Sequence, residues 1–208
     1  RNMISYKLNK TQLKGYFQEL TINANYQHLE ESRITRRFQS NNKDTRLEKV
    51  DIFGLVADFL HTDKNGEIHI GVESYYNIVQ STANRTNTSS LAKTPIPTRY
   101  SDGPTNMAYQ AIYLQQTKLL DQHWVINDGI RLNLVQLNAQ FKDTSLMHFP
   151  FTQAKQSNAA LTANLGIAYN ADNGFRTSLG VSSGFRAPNI DDLTKVFDTK
   201  TGYVVVPN

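Results

Sequence analysis

The chain has 208 residues, 39% of them hydrophobic, and 22 Lys and Arg against 18 Asp and Glu, for a net charge of +4. It contains no Cys, which excludes a disulfide framework and a thiolate metal site. No stretch approaches about 18 apolar residues, which excludes a membrane-crossing helix but not crossing by strands, where about 9–11 residues suffice and only every second one is apolar.

A two-residue period predicts eight strands, over 3–9, 18–35, 46–61, 67–82, 106–119, 123–142, 159–171 and 174–187. The first connection, 10–17, is long for a turn. Arg33, Arg36 and Arg37 close the second strand as the one tight basic group, placed to meet lipid phosphates or to edge a solvated loop; the other cations are scattered. The third and fourth strands meet at Asp63-Lys64-Asn65-Gly66, and the last two at Asp172-Asn173-Gly174, where Asn-Gly accepts the positive φ of a tight turn. Leu120-Asp121-Gln122 is a third short junction. Long polar connections lie between, at 36–45, 83–105, 143–158 and after 188. Such sorting of short turns and long loops between two rims is expected of an outer-membrane barrel.

Alternation sorts Leu161, Ala163, Leu165, Ile167 and Tyr169 from Thr162, Asn164, Gly166, Ala168 and Asn170. It likewise sorts Ile68, Ile70, Val72, Tyr76 and Ile78 from Glu67, His69, Gly71, Glu73 and Asn77. In 174–186, Phe175, Thr177, Leu179, Val181 and Phe185 oppose Arg176, Ser178, Gly180, Ser182, Gly184 and Arg186. The apolar sets are expected to face lipid and the polar sets a lumen. In 46–61 and 123–142 both faces are partly apolar, which a bulge or a covering element would explain. Aromatic belts are expected from Tyr16, Phe17, Trp124, Tyr169 and Phe175 at the short-turn rim, and from Phe38, Tyr76, Tyr109, Phe141 and Phe185 at the other. Only 190–197 reads as a short helix, capped by Asn189.

No catalytic residues emerge. There is no Gly-x-Ser-x-Gly elbow or phosphate-binding glycine loop, and Glu30 and Glu31, adjacent on a strand, point to opposite faces. The five His are widely spaced, so neither a metal site nor a cofactor is expected. No basic stripe with stacking aromatics marks a nucleic-acid partner. The long loops are expected to be extracellular and to contact ligand through Arg85, Lys93, Arg99, His148 and Lys155, a cationic set suited to an anionic chelate.

Gly184-Phe185-Arg186-Ala187-Pro188-Asn189, running on through Leu193, resembles the strand and loop that carry the FRAP-type motif of TonB-dependent outer-membrane receptors. Pro188 ends pairing because it has no N–H. Thr194–Asp198 and Val204–Asn208 resemble the loop that follows, and Tyr26–Arg33 and Arg46–Asp51 resemble barrel segments of that family. The resemblance implies an all-β, transmembrane, antiparallel up-and-down β-barrel, of which residues 1–208 are a part with about eight strands. Neither a plug domain nor a TonB-contacting box is visible. It further implies a receptor in the bacterial outer membrane that takes up a scarce nutrient, such as a siderophore or haem, with TonB-supplied energy. Its partners would be outer-membrane lipid, the TonB complex through a plug region, and an unidentified small molecule. The motif itself is expected to be structural: Gly184 admits a close neighbour, Phe185 anchors at the outer interface, and Arg186 pairs with a carboxylate of the plug or an adjacent strand. The alternatives are a complete small outer-membrane barrel acting as anchor or passive pore, an outer-membrane barrel enzyme, or a soluble lipocalin-like binder.

Overall fold

A computed structural model of the chain describes residues 1–143, 145–199 and 202–205; the resemblance read at Val206, Pro207 and Asn208 lies outside the described residues. The strands are β1 (Asn2–Lys10), β2 (Glu19–Arg36), β3 (Asn42–Asp63), β4 (Gly66–Asn87), β5 (Lys93–Pro95), β6 (Thr105–Leu119), β7 (Trp124–Gln140), β8 (Gln153–Asn170) and β9 (Arg176–Ser182). A short helix, α1 (Ile190–Thr194), and a separate hairpin, β10 (Val196–Thr199) with β11 (Gly202–Val205), follow. The main sheet is an antiparallel meander in the order β1-β2-β3-β4-β6-β7-β8-β9, with β5 pairing the upper part of β4. This is the up-and-down β architecture expected. Among the described residues β1 and β9 each have one ladder partner, so these eight strands do not close on themselves. That is the arrangement of a partial barrel rather than of a complete small one.

Register fixes which side chains share a face, because residues directly opposite on neighbouring strands point the same way. Leu161 lies opposite Leu132, Leu132 opposite Ile112, Ile112 opposite Val72 and Val72 opposite Ala57. The apolar face thus runs through Phe53, Leu55 and Phe59, across Ile112, Ile130 and Leu132, to Leu165, Leu179 and Val181, and all of these side chains are exposed. On β8 the apolar run lasts from Tyr169 to Ala159. That is about 33 Å along the strand at about 3.3 Å per residue, or about 25 Å in height at a tilt of about 40°, the height of a barrel's lipid-facing band.

Several boundaries differ from the sequence reading. β3 begins at Asn42, β4 continues to Asn87 and β8 begins at Gln153, so the loops read as 36–45, 83–105 and 143–158 are shorter than expected. Polar alternation such as Asn84-Arg85-Thr86 reads as loop, yet it pairs with Thr45, Asp44 and Lys43. A ladder standing clear of the apolar band has water on both faces and needs no apolar set. In the other direction, β9 stops at Ser182 rather than 187. The tight turn after Asp63 puts its positive φ (143°) on Gly66 alone, and Asn65 stays in the ordinary region.

No bulge interrupts β3 or β7, whose registers are continuous. On β7 the second explanation holds: Val135, Leu137 and Ala139 with Met107 form a buried cluster on the polar face, covered by Ala187, Ile190 and Leu193. The segment after β9 therefore folds back across the sheet. This relocates three aromatics of the expected upper belt. Tyr109 belongs to the covered cluster, Phe141 is buried, and Phe185 lies beside Tyr109 and Val135 on the polar side instead of anchoring at the outer interface. The upper aromatics on the apolar face are Tyr26 against Phe53, with Tyr76 nearby in register. The lower rim carries Tyr16, Phe17 and Phe59 in one group and Trp124 with Tyr169 in another.

Candidate functional site

The polar face carries two layers of interacting groups. In the middle of the sheet, alternation brings Asp58 of β3, His69 and Glu73 of β4, Tyr113 of β6 and Arg131 of β7 to one surface. The Tyr113 hydroxyl donates to Asp58 Oδ2 at 2.7 Å, and His69 Nδ1 lies 2.8 Å from Asp58 Oδ1. Arg131 donates to Glu73 at 2.5 Å and to Asn133 at 2.7 Å, with its guanidinium 5.9 Å from the centre of the Tyr113 ring. Gly71 makes this possible: a Cβ there would collide with the Tyr113 ring. The groups line a hollow of about 470 Å³ completed by Asn164 and Ser183. Glu73 is paired with the Arg131 guanidinium, and Asp58 is held by the Tyr113 hydroxyl and the His69 ring, so the hollow is rich in hydrogen-bonding atoms.

Nearer the long-loop rim, like charges sit side by side. Glu31 is directly opposite Glu48, and Arg33 directly opposite Arg46. Directly opposed like charges repel, and a third guanidinium relieves the carboxylate pair. Residues 96–105 fold inward over the sheet and place Arg99 3.7 Å from Glu31. Arg46 Nε donates to the Pro97 carbonyl at 3.3 Å, tying down the same segment. Glu48 is only 6% exposed beneath this cover.

The inturned segment and α1 are joined. The Tyr100 hydroxyl donates to Asp191 at 2.7 Å, and the Val196 amide donates to the Arg99 carbonyl at 2.8 Å. Burial and then the bond to Asp191 push the Tyr100 phenol up to about 12. The same bond, ahead of Lys195, holds the Asp191 carboxyl below the usual carboxylate range. At the start of α1, Asn189 accepts from the Asp192 amide while the Asp192 carboxylate accepts from the Asn189 amide, a complete capping box.

The residues expected to bind ligand are not brought together. Arg85 stands on β4 rather than in a loop, held by two bonds to Asp44 of 2.6 and 2.8 Å. Arg99 lies in the inturned segment described above. His148 is exposed in the connection between β7 and β8. Lys155 is on β8 in the same phase as Leu161, and so on the apolar side of the sheet, off the polar wall. Within the motif, Gly184 has open space around it rather than a close neighbour. Arg186 pairs with Asp192 of the following helix, at 2.8 Å, rather than with another strand. The reading from sequence placed Glu67, His69 and Glu73 on the right face but gave them no partners. Asp58, Tyr113, Arg131 and the Glu31–Arg46 layer were overlooked, because the pairing that assembles them depends on register. No group of three or more His, Cys, Asp or Glu side chains placed to hold a metal occurs among the described residues.

The family described as "TonB dependent receptor-like, beta-barrel" matches residues 1–208. No curated protein matches the chain by sequence. Among solved structures, the chain is similar to one titled "Copper transporter OprC", with a TM-score of 0.77 at 10% identity, covering 92% of this chain and 31% of that one. At that identity the likeness speaks to the fold alone, and this chain spans about a third of that structure's length.

Proposed function

Because this chain belongs to the TonB-dependent receptor-like β-barrel family, we propose that it forms part of the barrel wall of a bacterial outer-membrane receptor that imports a nutrient with TonB-supplied energy. The observation that carries the reading is the inverted sheet. One face is an exposed apolar band about 25 Å high, and the other holds the Arg131–Glu73 ion pair and Asp58 in contact with His69. A soluble binder would turn the apolar face inward; here the polar face is the one covered by inturned chain. The protein acts as a transporter rather than an enzyme, and its TonB contact is made through a plug region occupying the lumen.

The cargo is a nutrient carried as an anion, such as a ferric siderophore or another anionic metal chelate. Arg33, Arg46 and Arg99 gather at the mouth of the polar wall against Glu31 and Glu48, a surplus of one positive charge. Arg85 and the exposed His148 stand nearer the outside. Guanidinium groups suit planar oxyanions and repel a bare metal cation. The test is uptake by cells carrying the full receptor, with ferric tricatecholate, haem and copper(II) as probes. We expect TonB-dependent entry of an anionic probe, lost when Arg33, Arg46 and Arg99 are all replaced by Ala. Uptake that persists without TonB, or entry of copper(II) alone, overturns the proposal.

A further inference from the structure

The inturned segment 96–105 is fastened over the polar face at several points. The Ile96 amide donates to the Ala83 carbonyl at 3.4 Å, the Tyr100 amide to Ser81 Oγ at 3.5 Å and the Gly103 amide to the Gln140 carbonyl at 2.8 Å. With Arg46 on the Pro97 carbonyl and Tyr100 on Asp191, these bonds make the segment a strap across β3 and β4. Ile96, Thr98 and Ser101 are buried within it, and Val79, Ser81 and Ala83 of β4 are buried beneath it. Glu48 lies in that covered strip, directly opposite Ser81 on one side and Glu31 on the other. It stands above the apolar band, which β3 leaves at Phe53. Arg99 is engaged with Glu31 and Arg46 with Pro97. Both Glu48 carboxylate oxygens are buried, and neither has a hydrogen-bond partner among the described residues.

A carboxylate so placed is costly when ionised, because burial removes its water and no donor replaces it. The charged and titratable groups around it are Glu31 and Arg33 of β2, Arg46 of β3, and Arg99 and the Tyr100 phenol of the strap. Behind Tyr100 stand Asp191 and Lys195, joined to each other at 3.0 Å. β4 faces Glu48 with Ser81, and its Arg85 is engaged with Asp44 further up. Burial holds the Glu48 carboxyl above the usual carboxylate range; Glu31 adds to this, while Arg99, Arg33 and Arg46 pull the other way. Lifting the strap returns the group to water and to an ordinary pKa of about 4.3. The covered state therefore holds a proton that the uncovered state releases. Its stability is complete below about 4.3 and is lost as pH rises through the higher covered value. We propose that Glu48 is a proton site that governs the strap: with its proton it stays covered, and on ionising it lifts 96–105 and frees Arg99. The surplus of one positive charge at the mouth belongs to the ionised form. With the proton in place, Arg33, Arg46 and Arg99 face Glu31 alone.

The test uses the purified full receptor in phospholipid vesicles, freed of other cysteines. Thr98→Cys is a buried reporter in the strap and Leu91→Cys an exposed reference, the native residues being 8% and 74% exposed. A water-soluble maleimide is the probe, and the ratio of the two labelling rates removes the ordinary pH dependence of the thiol reaction. One proton separating two states changes their balance by up to about tenfold per pH unit, so the ratio should rise about tenfold between about pH 5 and about pH 8. Asp191, held below the usual range, and Tyr100, pushed up to about 12, keep their charges over that span. Glu48→Gln keeps the shape of the protonated side chain, so its ratio should stay low at every pH. Tyr100→Phe cuts the strap from Asp191 and should raise the ratio at the acid end while preserving its rise. Each variant is first required to show the gel mobility of a folded barrel, and Tyr100→Phe carries the test if Glu48→Gln does not fold. A flat ratio in the wild type, a rise that survives in Glu48→Gln, or no change in Tyr100→Phe overturns the proposal. Neither cargo nor TonB enters the measurement, so its outcome is distinct from that of the uptake experiment.

Discussion

Leu165 and Leu179 point from the same face, at different depths. Measured from Tyr169 in the lower aromatic rim, Leu165 is four residues up β8, about 10 Å in height at about 3.3 Å per tilted residue. In a band about 25 Å high that lies within about 3 Å of the midplane. Leu179 is opposite Ile167, only two residues above Tyr169, or about 5 Å up. Both are exposed on the apolar face, at 55% and 77%, so exposure alone would rank Leu179 as the more lipid-bound. Depth reverses that order. Leu165→Arg should cost about 2–4 kcal/mol, as at a bilayer midplane, and Leu179→Arg about 1 kcal/mol, because its guanidinium reaches the interface. The lumen-side change Asn164→Arg should cost less than either, since its side chain opens into the polar hollow. The assay is urea-dependent folding of the intact receptor into phospholipid vesicles. Equal costs at 165 and 179, or a larger cost at 164, would refute the assignment of faces and depth.

Gly66→Ala should lower folding yield through about 1–3 kcal/mol of strain, because φ is 143° and the new methyl would meet the Thr117 carbonyl. Gly174→Ala, at φ 82° with nothing near it, should cost about 1–2 kcal/mol, and a neutral Gly66→Ala would contradict the turn geometry. Arg131→Leu should destabilise by about 1.5–3 kcal/mol through loss of a charged hydrogen bond, with Glu73→Gln in the same background recovering part of it; no recovery would show that the Arg131–Glu73 pair is not what was lost. The Tyr100–Asp191 link should also show in the pH profile of stability. Asp191 is depressed in the folded state, so its contribution is complete above the unfolded carboxylate pKa of about 3.9 and is lost as pH falls through its lower folded value. Tyr100 is raised, so its contribution is complete below the unfolded value of about 10 and is lost as pH rises toward its folded value of about 12. Thermal unfolding of wild type and Tyr100→Phe should therefore differ most between these limits, and a constant difference at every pH would dismiss the link.

The strand content and the assignment of faces were legible because alternation is a local signal. Leu161 and Leu179 could be assigned outward with no knowledge of their neighbours. The upper ends of β3 and β4 were not legible, since Asn42–Thr45 and Asn84–Asn87 are polar on both sides and only their mutual register makes them strands. Phe185 failed for a different reason. Its position in the alternation pointed outward, but the ladder ended three residues earlier and the chain crossed to the polar face. The arginines at the mouth were visible as residues, yet Arg33, Arg46 and Arg99 are far apart in sequence and meet through pairing and an inturned loop.

β3 leaves the apolar band at Phe53 and remains paired up to Lys43 with β2 and up to Asn42 with β4. Those eleven steps are about 36 Å of ladder at about 3.3 Å per residue, or about 28 Å of height when tilted. The hairpin tip beyond them carries Phe38, which is 93% exposed. A hydrogen-bonded mast of that length holds its shape, unlike a loose loop of equal span. It lifts an aromatic ring, with Arg36 and Lys43 opposite each other just below, clear of the headgroups. In the outer-membrane placement proposed above, whatever approaches from outside would meet a fixed silhouette rather than a shifting loop.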